Sequence, residues 1–171
     1  MQIPQRHPAA PAPGTVLGPH YRWCFACGDE HPTGLRLQIE VLEGVAVRSR
    51  FRVGEHHMGA PGLAHGGVLA SALDEALGSL SWLMHRIAVT ARLEVDYVAP
   101  VPVESTVVID AHGTGIDGRK MYTEATGRLG SEHGTVVVRG KGLFVQVAPE
   151  HFTRHAGPHG GRPAGEGLFN P

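Results

Sequence analysis

The chain has 171 residues, 15 Lys+Arg against 16 Asp+Glu for a formal net charge of -1, and 42% hydrophobic residues. That is apolar material for one domain with a core, short for two, and the near-neutral balance argues against a general nucleic-acid binder. The two cysteines, Cys24 and Cys27, make no disulfide framework, no apolar run approaches a membrane span, and residues 1–13 lack an apolar signal core; the expectation is a soluble, cytoplasmic protein whose partners include neither nucleic acid nor membrane.

Residues 1–20 are rich in Pro, Ala and Gly without periodicity and read as a flexible arm; residues 154–171 read the same way, as a Gly/Pro/His-rich tail. The folded body is expected over 21–153. Residues 35–41 form a short candidate strand. Residues 45–53 alternate, with Val45, Val47, Phe51 and Val53 on one face and Arg48, Arg50 and Arg52 on the other, the pattern of a half-buried strand. Gly54, Gly59, Pro61 and Gly62 break the chain into a loop over 54–64.

Residues 66–85 form the one convincing helix, and its apolar face (Leu69, Ala72, Leu73, Ala76, Leu77, Leu80, Leu83, Met84) is wide enough to bury it on most sides. Residues 89–98 are a strand with Ala91, Leu93, Val95 and Tyr97 on one face and Thr90, Arg92, Glu94 and Asp96 on the other, ended by Pro100 and Pro102. Residues 106–111 are a further strand, 113–118 a hairpin connection, and 120–129 and 135–147 a last hairpin turning near Gly130. Two strands, a long buried helix and four strands joined by hairpins imply an α+β fold: an antiparallel sheet of about six strands with one face covered by the helix.

The chemistry concentrates in His65-Gly66-Gly67-Val68-Leu69-Ala70-Ser71-Ala72-Leu73-Asp74. A carboxylate inside an apolar helix is costly unless paired, solvated through a cleft or used. Two glycines at a helix start leave backbone N–H groups reachable, and such groups stabilise developing negative charge. The bland readings are a solvated or arginine-paired Asp74, a His65 that only caps the helix, and glycines that only permit close packing. Cys24 and Cys27, with His31 nearby, could be half a zinc site, but four ligands are usual. Neither His20 nor His56 and His57 complete a trusted spacing, so the pair reads as packed or solvent-facing thiols and no metal is expected. Glu75, Glu94 and Asp96 read as surface or interface charges.

Four pieces in order resemble the hotdog-fold acyl-CoA thioesterases, specifically the phenylacetic-acid-degradation type and its mammalian mitochondrial thioesterase-superfamily relatives. They are Cys24-Phe25-Ala26-Cys27-Gly28 followed by Pro32-x-Gly34-Leu35; residues 59–67 (Gly-Ala-Pro-Gly-Leu-Ala-His-Gly-Gly) with Asp74; residues 97–102 (Tyr-Val-Ala-Pro-Val-Pro); and Gly118-Arg119-Lys120 with Glu124-Ala125. The resemblance covers nearly all of residues 21–150. It implies a hotdog fold, in which a curved antiparallel sheet wraps one long central helix, and association into dimers or tetramers. It also implies hydrolysis of an acyl-CoA, with aromatic or medium-chain acyl groups expected, and no cofactor beyond the coenzyme A of the substrate.

By the same resemblance Asp74 is the base or nucleophile, the Gly66 N–H the oxyanion donor, and Thr90 the hydroxyl that helps place water. His65 assists or orients, Gly67 lies in the substrate site, and Arg119 and Lys120 hold CoA phosphates. Some relatives carry an amide six positions before the histidine, where this chain has Gly59. If 65–74 is helical, His65 and Asp74 lie about 13 Å apart along the axis and half a turn around it. One chain's Gly66 and Asp74 then do not meet on one carbonyl, and a site shared across a two-fold dimer is expected. The other readings are an enoyl-CoA hydratase or dehydratase on the same scaffold and a non-catalytic acyl-CoA-binding module.

Overall fold

A computed structural model describes residues 1–155. In chain order it contains β1 (Val16–Leu17), β2 (Gln38–Val41), β3 (Ala46–Arg52), a 3₁₀ turn (Glu55–His57), β4 (Met58–Ala60), β5 (Leu63–Ala64), α1 (Gly66–Leu83), β6 (Ala88–Tyr97), β7 (Thr106–Asp117), β8 (Lys120–Leu129), β9 (Val136–Gln146) and α2 (Glu150–His155). Among the described residues the main sheet has seven strands in the order β1-β2-β3-β7-β8-β9-β6, all pairs antiparallel, and β4-β5 is a separate two-stranded ribbon. This is the α+β hotdog architecture, with seven strands where about six were expected.

The alternation seen in the sequence decides which face meets α1. Val47, Ser49 and Phe51 of β3, Met121 and Thr123 of β8, and Phe144 of β9 are buried, together with Leu73, Leu77, Leu80 and Leu83 of the helix. The helix approaches β9 closely because that strand carries glycine beneath it: a Cβ at Gly142 would lie 3.3 Å from Leu77 Cδ1 and 2.6 Å from Thr123 Oγ1. The opposite face of the sheet is charged. Arg48 forks onto Asp110 of the neighbouring strand (Nε to Oδ1 2.6 Å, Nη2 to Oδ2 3.2 Å) and reaches Glu132. Arg50 faces Glu40 across the strands, and Arg52 pairs with Glu104. The three arginines of the polar stripe are thus matched by carboxylates brought alongside by sheet pairing.

Three expectations need correcting. Residues 1–20, expected as a flexible arm, are laid along the body. Gln2 and Ile116 exchange backbone hydrogen bonds, the His7 N–H donates to the Leu83 carbonyl, the His7 and His85 rings stack at 4.0 Å, and β1 supplies the seventh strand. A Pro/Ala-rich segment has no period of its own; its partners are the ends of distant elements, which its sequence does not show. Second, β7 runs on through Gly113 to Asp117, past the expected connection, with a register shift between Gly113 and Gly115. The turn is confined to Gly118 and Arg119, since Asp117 pairs with Lys120. Third, α2 spans the expected body–tail boundary at 153/154; the rest of the expected tail lies outside the described residues.

Candidate active site

The N-terminus of α1 is built on histidine. His65 is the N-cap residue in extended conformation, and its Nδ1 accepts from the Gly67 N–H at 2.9 Å. The Gly67 N–H, assigned from sequence to the substrate site, is therefore occupied by His65. Gly66, the first helical residue, has no carbonyl one turn back to receive its N–H. The backbone of His65 is held in turn: its N–H donates to the His57 carbonyl at 2.8 Å. His57 is buried, its Nδ1 accepting from the Gly54 N–H at 3.0 Å and its Nε2 facing the Thr33 carbonyl at 3.2 Å.

Gly59 explains the missing amide. A Cβ there would fall 2.6 Å from the Cα of His65 and 2.8 Å from its Cβ, so no side chain fits while His65 caps the helix. Tyr97, at the end of β6, lies over Gly66 and donates its hydroxyl to the Gly66 carbonyl at 3.0 Å. The sequence reading gave Tyr97 no role beyond marking the strand end.

Asp74 sits two turns further on, half-buried, where β6 crosses the helix. Thr90 Oγ1 donates to Asp74 Oδ1 at 2.8 Å. Burial raises the Asp74 carboxyl above its ordinary range; the Thr90 hydrogen bond opposes the shift, and the charges of Glu75 and Cys24 add to it. The sequence parity put Thr90 on the face of Arg92, away from the helix, and the structure reverses this. The pairing of β6 with β9 slips between Thr90 and Arg92, leaving Ala91 as the extra residue of a bulge. Leu93 and Val95 keep the helix-facing side beyond the bulge, and Thr90 joins them before it.

Asp74 and Thr90 open onto a cavity of about 270 Å³ between the second half of α1 and the start of β6, walled by Gly78, Trp82, Val89 and Phe144. The wall is mixed: Trp82, Val89 and Phe144 share it with the carboxylates of Asp74 and Glu75, His20 and Arg86. Gly66 is eight residues from Asp74 on the same helix, about 12 Å along the axis, and does not line the cavity. Arg119 and Lys120 are exposed on the β7–β8 turn and outside it. That turn is tied to the cavity rim by Arg86, which lines the cavity and donates to the Gly118 carbonyl at 3.1 Å. Glu75, expected as a surface or interface charge, is half-buried and faces His20 at 3.1 Å. Trp82 and Phe144 were missed as cavity residues because helix or strand periodicity cannot tell a cavity wall from core, and His20 because it lies in an irregular loop without any period.

The Thioesterase superfamily profile matches residues 61–136, the stretch from the helix entry to the start of β9. The chain is 33% identical over 102 residues to mouse acyl-coenzyme A thioesterase THEM4; the match covers 60% of this chain and 44% of that protein, so the chain spans under half the length of this curated relative. Among solved structures it is similar to RHA08564, a thioesterase superfamily protein (TM-score 0.67, 29% identity, 81% of this chain and 70% of that one). It also shares its fold with the E. coli PaaI protein from the phenylacetic acid degradation operon (TM-score 0.61, 16% identity, 67% and 81%).

Proposed function

We infer that this chain, which resembles the hotdog-fold acyl-CoA thioesterases in fold and in residues 61–136, hydrolyses an acyl-CoA thioester to a carboxylate and free coenzyme A. The observation that carries the reading is the Asp74–Thr90 pair on the wall of a cavity that also presents Trp82 and Phe144. Among the described residues, hydrogen bonding to Asp74 is confined to Oδ1. Oδ2 is left to take a proton from a water that attacks the thioester carbonyl. The tetrahedral intermediate then expels the CoA thiolate, which recovers a proton. The acyl group, aromatic or of medium length, lies against Trp82 and Phe144.

The carbonyl oxygen becomes negative in this step and needs a donor about 3 Å away. Gly66 of the same chain stands too far along the helix, so the donor is the Gly66 N–H of a second copy. The place of β6 supports this: it is the outermost strand of the sheet, and Tyr97 and Val98 at its end are 56% and 48% exposed. Pairing two such edges about a two-fold axis gives two sites per dimer, each with Asp74 and Thr90 from one chain and Gly66 from the other. Arg119 and Lys120 extend the positive rim begun by Arg86 toward the CoA phosphates.

The test is thiol release from a panel of acyl-CoAs (acetyl to palmitoyl, phenylacetyl, benzoyl), with wild type and Asp74→Ala side by side and their masses measured in solution. Turnover by the wild type that collapses by at least about a hundredfold in the variant, at unchanged mass, is expected. Binding of CoA esters without turnover would overturn the reading in favour of a binding module, and hydration of an enoyl-CoA in favour of a hydratase.

A further inference from the structure

Glu75 turns away from the Asp74 carboxylate's partner and into a second cluster. His20 Nδ1 lies 3.1 Å from Glu75 Oε1 and 3.0 Å from Cys27 Sγ, and Cys24 Sγ lies 3.7 Å from Glu75 Oε2. One ligand atom from each of these four residues lies within 4.8 Å of the other three. Hydrogen bonds alone serve this arrangement poorly. A single ring nitrogen carries either one proton or one lone pair, so His20 Nδ1 can satisfy the sulfur or the carboxylate but not both. Two sulfurs, an imidazole nitrogen and a carboxylate oxygen around one point are instead the donor set of a tetrahedral zinc site. Its bond lengths give ligand–ligand edges of about 3.3–3.8 Å; the separations present here run from 3.0 Å to no more than 4.8 Å, a set that small side-chain rotations draw onto one ion.

The backbone is shaped for it. Residues 20–28 contain neither helix nor strand, yet they are tightly tied: the Cys24 N–H donates to the Tyr21 carbonyl and the Gly28 N–H to the Cys24 carbonyl, each at 2.9 Å. A Cβ at Gly28 would fall 2.4 Å from the Arg22 carbonyl oxygen, so the fold-back after Cys27 admits only glycine. Phe25 and Ala26 accept from the Leu35 and Leu37 N–H groups at 2.8 and 2.9 Å, which fixes the loop against the body. Cys24 and Cys27 thus come from one pinned knuckle with Cys-x₂-Cys spacing, His20 from just before it, and Glu75 from α1.

We propose that His20, Cys24, Cys27 and Glu75 bind one Zn²⁺ ion. The thiolates select a borderline-soft metal over Mg²⁺ or Ca²⁺. Four protein ligands leave no open position, so the ion is structural rather than catalytic. It fastens the irregular 20–28 loop to the helix one residue from Asp74. The sequence reading set the cysteines aside for want of partners; the partners are a histidine four residues upstream of Cys24 and a glutamate 48 residues downstream of Cys27, a separation that matches no sequence motif.

The test reads metal and not turnover, so it stands or falls apart from the thioesterase reading. The full chain, purified under reducing conditions, is analysed for zinc and then exchanged with Co²⁺. Expected are one ion per chain, a thiolate-to-cobalt charge-transfer band with tetrahedral d–d absorption, and displacement of both by Zn²⁺. The sulfur band is decisive because the chain's 12 histidines can capture Co²⁺ elsewhere but cannot produce that band. Cys27→Ser, which leaves Cys24 as the one thiolate, lowers the band, Cys24→Ser together with Cys27→Ser abolishes it, and Glu75→Gln weakens Co²⁺ binding by more than the about 10–100-fold lost with a merely supporting residue. The wild-type spectrum decides the matter even if a variant does not fold. A folded wild type that takes up no ion, or one without the sulfur band, while both thiols react freely with a thiol reagent, would overturn the proposal.

Discussion

Thr90 shows what a single hydroxyl can do for a half-buried carboxylate. Its donation to Asp74 Oδ1 at 2.8 Å holds the carboxylate beside the cavity and leaves Oδ2 without a hydrogen bond among the described residues. Hydrogen bonds to a charged group contribute about 1.5–3 kcal/mol. Thr90→Val is therefore expected to lower kcat by about ten- to a hundredfold while Thr90→Ser keeps most of it, checked by steady-state kinetics on the best acyl-CoA. Gly66 offers a complementary change. Proline is well tolerated at the first helical position, where its missing N–H breaks no intrahelical bond. His65 already has φ -68° and ψ 136°, the extended conformation a residue before proline prefers. A Cβ at Gly66 lies 3.2 Å from Tyr97 Cζ, so the exposed Tyr97 ring must shift slightly; with that shift Gly66→Pro is expected to fold with unchanged helix content and lose about 10²–10³ in kcat, the usual effect of deleting one oxyanion donor. The place of His65, Gly66 and Asp74 on α1 was readable from the chain because a Gly-Gly helix entry and a carboxylate among apolar residues are local signals. The side of β6 that Thr90 takes was not: one bulge residue, Ala91, inverts every parity before it, and nothing in a run of β-formers marks it.

At the scale of elements, α1 and its seat on β8 and β9 hold the site in place. Leu77 is wholly buried and touches the space left by Gly142. Leu77→Ala removes that contact and opens a cavity, at an expected cost of about 2–5 kcal/mol in a urea unfolding midpoint. It is also expected to loosen the Asp74 turn, only three residues away on the helix. The helix, the alternation of β3 and the last hairpin were legible because their periods are set by burial on one face. The N-terminal segment was not. Its order comes from pairing Gln2 with Ile116 and Val16–Leu17 with β2, contacts between residues far apart in the chain.

For the whole molecule, the separation of Gly66 from Asp74 along one helix makes the proposed site a property of two chains. Subunit exchange tests this directly. Equal amounts of Asp74→Ala and Gly66→Pro protein, mixed, unfolded and refolded together, form mixed dimers in about half of all pairs, each with one intact site. Activity is expected to recover to about a quarter of wild type; a site confined to one chain recovers none. The sequence could carry this expectation because helix rise is fixed geometry, whereas the size of the cavity could not be read from it at all.

The two margins of the sheet are unequal, and that inequality sets how assembly along the strands stops. One margin is β1, two residues long; the other is β6, ten residues long. Among the described residues the main sheet therefore offers one hydrogen-bonding rim of useful length, a valence of one for the proposed dimer. When two copies spend those rims on each other, what faces outward at either end is a strip too short to template a third. In the proposed dimer the ribbon ends at two without any device to blunt it, and a larger particle would be built by stacking faces rather than by adding strands.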